Sequence, residues 1–314
     1  MDNYKRKWYG NKATVIEHKQ EKTVIDYGCP GKGIITSYVL FPRIQMSFLD
    51  MDTKGVFPAQ SFEKDIISIN YCCEGRQESF FSDESVCYLP QMYLRINGTY
   101  MIPTSFSFPM NVYKGVSLVV ERGAINAETK GMLESFGINL DVIERKFKLK
   151  SQWVLIHPNE EIVKKFEFAG SSAEFEIADL RLKALEILRL LMKLDECLDE
   201  ESLYFTKNQI MQTKAIQEAM IKNPESKKKL ADIVKNYDIS LSQFQKVFYQ
   251  IYGDTPYSYL KGYKMNLAAN MLRSGNKKIS DIALEMGYSN PSKFSEAFRS
   301  IYGISPKEYQ KTGE

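Results

Sequence analysis

The spacing of hydrophobic positions changes near Ala124. Before it, short runs contain apolar residues that alternate with polar ones, and Gly and Pro residues punctuate the region between the runs. Three such runs are Ile34–Leu40, Asp65–Tyr71 and Gly115–Val120. Alternation with a period of two is the pattern of half-buried β-strands, and Gly and Pro mark the turns between them. We therefore predict a β-rich domain, a sandwich or barrel, followed by helices.

An apolar seam with helical spacing lies between Glu176 and Glu200. Its residues recur at steps of three and four, which is the a/d spacing of one helix face. They are Ile177, Leu180, Ala184, Ile187, Leu191, Leu194 and Leu198. The seam fits a dimerisation helix. Because further apolar residues broaden it, it equally fits a helix that packs on the sheet of its own domain. The charged stretch Leu198–Ser202 predicts a hinge after it.

The C-terminal part of the chain repeats itself at an offset of 50 residues. The matching pairs are Phe244 and Phe294, Phe248 and Phe298, Tyr252 and Tyr302, Gly253 and Gly303, Pro256 and Pro306, and Tyr259 and Tyr309. Self-similarity at this many positions indicates two copies of one module. In each copy the local signals predict a helix, a tight turn and a second helix.

Capping signals place the second helix of each copy. In the first copy, Ser240 and Gln243 predict a capping box, and Gly253 lies just past the end of the helix. In the second copy, Asn290 followed by Pro291 predicts the helix start, with a glycine in the preceding turn. Each of these second helices carries two phenylalanines of the repeat, four residues apart. That spacing puts both rings on one face, which we expect to face the core, and leaves the opposite face for a partner.

A long helix is predicted between the copies, from Thr255–Pro256 to Ser274–Gly275. A rigid connector would fix the separation of the two second helices. If these helices lie on one face of a DNA duplex, they address major-groove segments about one turn (~34 Å) apart.

Charge separates the two parts of the chain. Residues 207–314 carry 17 Lys or Arg and 10 Asp or Glu, a net charge of +7, whereas residues 1–206 carry 25 and 29. A basic module joined to a mildly acidic one indicates that the C-terminal part meets a polyanion.

The partner that best fits the free helix faces is duplex DNA. In a helix-turn-helix, amide and basic side chains of the second helix read base edges, and Lys or Arg contact phosphates. A solvated face without a partner is the alternative for one isolated helix, but two tandem copies on the basic module favour DNA. The candidate DNA-binding residues are Ser242, Gln245, Lys246, Gln250, Ser292, Lys293, Ser295, Glu296 and Arg299.

These motifs resemble the AraC/XylS family of transcription regulators over roughly Lys222 to Lys311. The signatures are Ile279–Ala283, Gly287–Asn290, Ser292–Ser295, Ala297–Phe298 and Tyr302–Pro306. The segment Tyr288–Phe294 is similar to the branch that contains siderophore-uptake regulators such as the pyochelin regulator.

The resemblance implies a β-rich, effector-binding and often dimerising domain, joined by helices to a DNA-binding domain of seven helices. It also implies activation of transcription in response to a small molecule, with contact to RNA polymerase. It assigns base reading to Ser242, Gln245 and Lys246 in the first copy, and to Ser292, Lys293, Ser295 and Glu296 in the second. Glu296 departs from the family, which often has arginine at this position. A carboxylate can accept a hydrogen bond from cytosine, but it cannot donate one to guanine or phosphate. We therefore expect the first helix to supply more of the specificity.

The predicted fold class is α+β, in three parts. Residues 1–170 form a β-rich effector-binding domain, residues 171–206 a helical linker and candidate dimerisation helix, and residues 207–314 the double helix-turn-helix domain. The predicted function is sequence-specific transcription regulation. We expect a cytoplasmic protein, because the sequence has neither an apolar run of membrane-spanning length nor a secretory signal.

The sequence gives little support for an enzyme. Motifs for nucleotide hydrolysis, acyl transfer and zinc proteolysis are absent, the two histidines lie far apart, and the five cysteines lack zinc-site spacing. We expect no cofactor and no metal. The alternative from another class is a DNA-binding enzyme or repair-type protein with Cys72 or Cys73 as nucleophile, although only Arg76 offers a nearby cation.

Arg76 is also the candidate for binding an anionic effector, with a surface arginine beside a turn as the plainer interpretation. It lies in Tyr71–Glu78, a segment similar to a hairpin of the siderophore-regulator branch.

Overall fold

The computed structural model describes residues 13–59, 65–99, 102–150, 153–170, 175–194, 205–222, 228–275 and 277–312. The chain divides into two compact units, an N-terminal unit of residues 1–205 and a C-terminal unit of residues 206–314. The predicted hinge at Leu198–Ser202 lies outside the described residues. No helix in the described parts of the chain combines the length and the apolar character needed to span a membrane.

Antiparallel strands make up most of the N-terminal unit. They are β1 (Thr14–His18), β2 (Lys22–Asp26), β3 (Gly31–Phe41), β4 (Ile44–Thr53), β5 (Val56–Pro58), β6 (Ile67–Phe80), β7 (Ser85–Pro90), β8 (Leu94–Gly98), β9 (Ser105–Ser107), β10 (Val112–Val120) and β11 (Trp153–Ile156). The two-residue strand β12 (Phe205–Thr206) lies where the two units meet in the sequence. The three runs predicted as strands match β3, β6 and β10, although Asp65–Tyr71 begins two residues before β6, so that prediction is confirmed.

The sheet runs in the order β1, β2, β3, β4, β10, β6 and β7, with β8 also beside β6. Side chains along its strands alternate between the two faces of the sheet, and the apolar ones form two clusters. Tyr71 belongs to one cluster and the next residue, Cys72, to the other. The second cluster is rich in aromatics, and its Phe57 ring lies 5.3 Å from Tyr27 and 5.7 Å from Phe106.

Helices cover the first of these clusters. They are α1 (Ala127–Ser135), α2 (Leu140–Lys146), α3 (Glu160–Phe166) and α4 (Ile177–Lys193), with 3₁₀ turns at Arg122–Ala124 and Glu167–Gly170. Asparagines at positions 126, 139 and 159 cap α1, α2 and α3 through their side-chain oxygens. The switch from strands to helices near Ala124 is thus confirmed.

Helix α4 carries the apolar seam, and the seam packs within its own unit. Leu180, Ala184, Ile187 and Leu191 are all buried in the cluster that includes the sheet residues Leu40 and Ile69. Of the two interpretations of this seam, the structure shows the intramolecular one for residues 177–194. Leu198 lies outside the described residues.

The segment Tyr71–Glu78 is not a hairpin, and that expectation was wrong. It lies inside the single long strand β6, which pairs with β10 up to Gly75 and with β7 from Arg76 onward. The interpretation of Arg76 as a surface residue was also wrong, since the residue is only 7% exposed. Around Gly75, which has φ of 78°, β8 gives way to β7 on one edge of the strand and β10 gives way to β9 on the other, and the chain does not turn back.

The C-terminal unit is helical, with seven helices among its described residues. They are α5 (Lys207–Lys222), α6 (Leu230–Val234), α7 (Leu241–Tyr252), α8 (Pro256–Ser274), α9 (Ile279–Glu285), α10 (Pro291–Tyr302) and α11 (Pro306–Thr312). Together the two units confirm the predicted α+β organisation, a β-rich part followed by a helical part.

Candidate nucleic-acid interface

The sequence repeat recurs in the geometry of the aromatic core. In the first copy the Phe248 ring lies 4.5 Å from Tyr252 and 5.4 Å edge-on from Tyr259. In the second copy the equivalent distances, from Phe298 to Tyr302 and Tyr309, are 4.6 and 5.3 Å. Helices α7 and α10 are both twelve residues long. The two copies therefore hold their second helices by the same packing.

The predicted caps fix where these two helices begin and end. Ser240 and Gln243 form the capping box of α7, in which the backbone N–H of Gln243 donates to Ser240 Oγ at 3.2 Å. Asn290 Oδ1 accepts from the Ser292 amide at 2.8 Å at the start of α10. Gly253 and its equivalent at 303 end the helices with φ of 76° and 78°. The capping predictions are confirmed.

Replacing Ser240 by alanine is expected to lower the free energy of unfolding of the C-terminal unit by about 1 kcal/mol, because the capping box is lost. Ser242→Ala is the matched control, since Ser242 is exposed on the same helix and caps nothing. Urea denaturation followed by circular dichroism measures both. Equal losses of stability would contradict the assigned cap.

Helix α8 connects the copies as predicted, from its cap at Thr255 to a left-handed Gly275. Lys261 donates to Ser300 Oγ at 2.9 Å, and the Tyr302 hydroxyl donates to Asn266 Oδ1 at 2.7 Å, so α8 is tied to α10. On the other side, Gln217 of α5 donates to the Tyr259 hydroxyl at 3.0 Å. These contacts make the connector part of both copies.

The structure places most predicted DNA-binding residues on exposed faces of α7 and α10. The exposed ones are Ser242, Gln245, Lys246, Ser292, Lys293, Glu296 and Arg299. The phenylalanines on the opposite sides of both helices, Phe244, Phe248, Phe294 and Phe298, have no exposed surface. Each helix is therefore divided into an apolar face towards the core and a polar face towards solvent.

Two of the predicted residues are less available. Gln250 is half-buried. Ser295 is also half-buried and donates its hydroxyl to the Pro291 carbonyl at 3.0 Å, a helix back-bond that uses its proton. Among the described residues, by contrast, neither Lys246 nor Lys293 forms an ion pair. Their ammonium groups are open to an external anion.

A family model described as a helix-turn-helix domain matches residues 233–312, a span that contains α7 to α10. Two curated relatives each match about a quarter of the chain. The probable transcriptional regulator LumQ of Photobacterium leiognathi is 38% identical over 72 residues, and a putative AraC-like transcription regulator of Streptomyces lividans is 34% identical over 82 residues. The C-terminal unit carries an AraC-type helix-turn-helix domain.

This match covers 23% and 26% of the chain and 29% and 27% of the two relatives. The chain thus spans less than a third of the length of these two relatives. A crystal structure of ToxT from Vibrio cholerae is 13% identical, covers 85% of this chain and 98% of that one, and has a TM-score of 0.31, too low to support an argument. The siderophore-regulator branch stays a prediction.

The DNA-binding residues predicted from the sequence do not include Tyr249 of the AraC-type domain, which is 53% exposed. It follows Ser242, Gln245 and Lys246 at the i, i+3, i+4, i+7 spacing of one helix face. The offset of 50 also pairs it with Arg299, which had been selected. Both signals were present in the sequence, and they favour Tyr249 over its neighbour Gln250.

The cysteines proposed as nucleophiles lie in the N-terminal unit, away from the AraC-type domain in the sequence. Cys72 is fully buried and Cys73 half-buried. Burial raises the pKa of the Cys73 thiol to about 12 and also raises the pKa of Cys72. Nucleophilic cysteines need the opposite shift, because the thiolate is the reactive form. This chemistry disfavours the reactive-cysteine alternative.

Proposed function

We propose that this chain is a sequence-specific transcription regulator that inserts α7 and α10 into the major groove of duplex DNA. The observation that carries the proposal is the pair of identically packed helices with exposed polar faces, within a matched helix-turn-helix domain. The net charge of +7 over residues 207–314 supports a polyanionic partner.

The side chains of the two helices divide into base-reading and phosphate-binding groups. Gln245 has the amide that pairs with adenine through two hydrogen bonds, whereas Lys246, Lys293 and Arg299 supply charge for phosphates or guanine. Ser242, Ser292 and Glu296 are hydrogen-bonding groups at the same groove, with Glu296 as an acceptor for cytosine. Gln250 and Ser295 are assigned secondary roles because each is half-buried.

The N-terminal unit is proposed to bind a small-molecule effector, and the regulator to activate transcription through contact with RNA polymerase. Both follow from the resemblance to the AraC/XylS family. A homodimer through residues 176–200 would have to use the outer face of α4, since the apolar seam is buried. Arg76 stays a candidate for effector binding, now as a buried residue.

The test of the proposal is selection of genomic DNA fragments by purified full-length protein at physiological salt, with wild type and Gln245→Ala compared. We expect an enriched motif of two blocks about one helical turn apart, with base preference relaxed at one block in the variant. Failure of both the full-length chain and residues 207–314 to enrich any motif would refute sequence-specific binding.

Lys246→Ala is expected to weaken binding of the selected site and to reduce the slope of log K against log salt by about 0.9, because one phosphate contact is lost. Gln245→Ala should leave that slope unchanged. Lys114→Ala is the control, since this lysine pairs with Glu74 at 2.9 Å in the N-terminal unit. Fluorescence anisotropy at several salt concentrations measures all three. Equal effects of the two α7 variants on random DNA would contradict the assigned roles.

A further inference from the structure

The N-terminal unit contains a cavity of about 110 Å³ against the strands β4, β6, β8 and β10. Apolar side chains form part of its wall, among them Ile35, Leu49 and Phe106. The rest of the wall is polar. A cavity with apolar walls and a few convergent polar groups is the usual form of a small-molecule site.

The polar wall is a row of cross-strand neighbours. Ser47 on β4 pairs in register with Ser117 on β10, Ser117 pairs with Asn70 on β6, and Asn70 pairs with Arg95 on β8. The Ser117 hydroxyl donates to Asn70 Oδ1 at 2.9 Å, and the Asn70 amide donates to Asn97 Oδ1 at 3.3 Å. All five residues line the cavity. The sheet thus directs a band of hydrogen-bonding groups, ending in a cation, towards this space.

Arg95 is the unusual member of the row, because it is a guanidinium that is only 4% exposed. Its Nη1 donates to Ser79 Oγ at 2.8 Å, whereas Nη2 has only a long contact of 3.5 Å with Gln77 Oε1. Its Nε is buried without a hydrogen-bond partner. The edge formed by Nε and Nη2 is the fork that binds a carboxylate through two parallel hydrogen bonds.

No carboxylate among the described residues neutralises Arg95. The buried Glu78 accepts instead from the hydroxyls of Tyr88 and Ser107, the latter at 2.6 Å. Arg122 shows the contrast, since it is largely buried and pairs with Asp65, Asp141 and Glu144. A buried charge without a counter-charge costs several kcal/mol, so its retention requires a reason.

We propose that the cavity binds a small organic carboxylate, with its two oxygens on the Nε and Nη2 edge of Arg95 and its apolar body against Ile35 and Phe106. The cavity is smaller than the ~150 Å³ space that holds benzene in a protein core, so the acid has a short aliphatic chain. This inference rests on the proposed function, since it names the class of effector that the regulator senses.

Thermal unfolding of the full-length protein with added acids tests the inference. The probes are sodium propionate and sodium butyrate, and the neutral isosteres propionamide and butyramide are the controls, all at ionic strength matched with NaCl. We expect at least one acid to raise the Tm saturably, by about 3 °C at ten times its Kd, and neither amide to do so. Equal shifts with acid and amide, or no shift with either acid, would overturn the inference.

Arg95→Met separates ligand binding from a structural role. We expect this variant to lose the acid-induced shift while its Tm without acid stays equal to or above that of wild type, because an unpaired buried charge is removed. A purely structural arginine would give a lower Tm without acid. Arg95→Lys keeps the charge without the fork and is expected to weaken acid binding about tenfold. Retention of the full shift in both variants would refute the assignment.

Arg76→Met tests the competing candidate for effector binding, because Arg76 is also buried but does not line the cavity. It should keep the acid-induced shift. The DNA selection described above is run on the same preparations. If acids fail to stabilise the protein while DNA selection succeeds, the carboxylate inference alone falls. If acids stabilise it and no DNA motif is enriched, the proposed function falls instead.

Discussion

Gly75→Ala is expected to lower the free energy of unfolding of the N-terminal unit by about 3 kcal/mol or more. Gly75 has φ of 78°, where an L side chain is strained by about 1 kcal/mol. A Cβ there would also lie 2.0 Å from the Val112 carbonyl oxygen, which is backbone and cannot rotate away. Relief of the clash would separate β6 from β10 where Gly75 faces Tyr113. We expect the Tm to fall by roughly 6 to 12 °C.

Gly131→Ala is the matched control for that substitution. Gly131 is exposed within α1, and a Cβ added to it meets no atom within 4 Å. Alanine is the better helix former, so this variant is expected to be stabilised by up to about 1 kcal/mol. Denaturant unfolding of the full-length chain measures both variants. Changes of the same sign would contradict the proposed origin of the effect at Gly75.

The limits of sequence-based prediction show at this same glycine. The run Cys72 to Arg76 suggests a turn, because glycine with positive φ serves equally in a hairpin and in a strand that changes partners. Only the pairing of β6 with β10 before Gly75 and with β7 after it decides between the two. The α4 seam poses the same problem, since steps of three and four fit a dimer or an intramolecular core. Tertiary packing settles it, and local sequence does not contain that information.

The C-terminal unit was predicted more fully because its signals are local. Ser240 and Gln243 lie three residues apart, and the repeat at an offset of 50 can be checked without knowledge of the fold. One error there is the choice of Gln250 instead of its neighbour Tyr249. Adjacent residues lie about 100° apart around a helix, so Gln250 lies beside the exposed face rather than on it.

The row that ends in Arg95 could not be predicted from the sequence. Its members Ser47, Asn70, Arg95 and Ser117 lie on four strands far apart along the chain, and no two of them form a motif. Sheet register alone brings them together. Arg76 is the sequence-based candidate for anion binding because its segment resembles a hairpin of the siderophore-regulator branch, whereas Arg95 stands in an ordinary strand pattern. Burial without a counter-charge, which distinguishes Arg95, is a property of the folded chain.

Phe298→Ala is expected to lower the free energy of unfolding of the C-terminal unit by about 3 to 5 kcal/mol. The Phe298 ring has no exposed surface and packs between Tyr302, Tyr309 and Phe294, so its loss leaves a cavity that the helices fill only in part. Tyr257→Ala is the control, because that ring is 80% exposed and its removal should change stability by less than about 0.5 kcal/mol. We expect specific DNA binding to be lost in Phe298→Ala alone.

Hydrogen exchange of the full-length chain shows how far this destabilisation spreads. Protection should fall in α10 and α11, which pack on Phe298 and its neighbours, while the strands of the N-terminal unit keep theirs. Because α8 bonds to α10 through Lys261 and Asn266 and to α5 through Tyr259, we expect protection in α7 to fall as well. Unchanged exchange in α7 would mean that the two copies unfold independently. The prediction that a rigid connector sets the spacing of the two recognition helices would then be wrong.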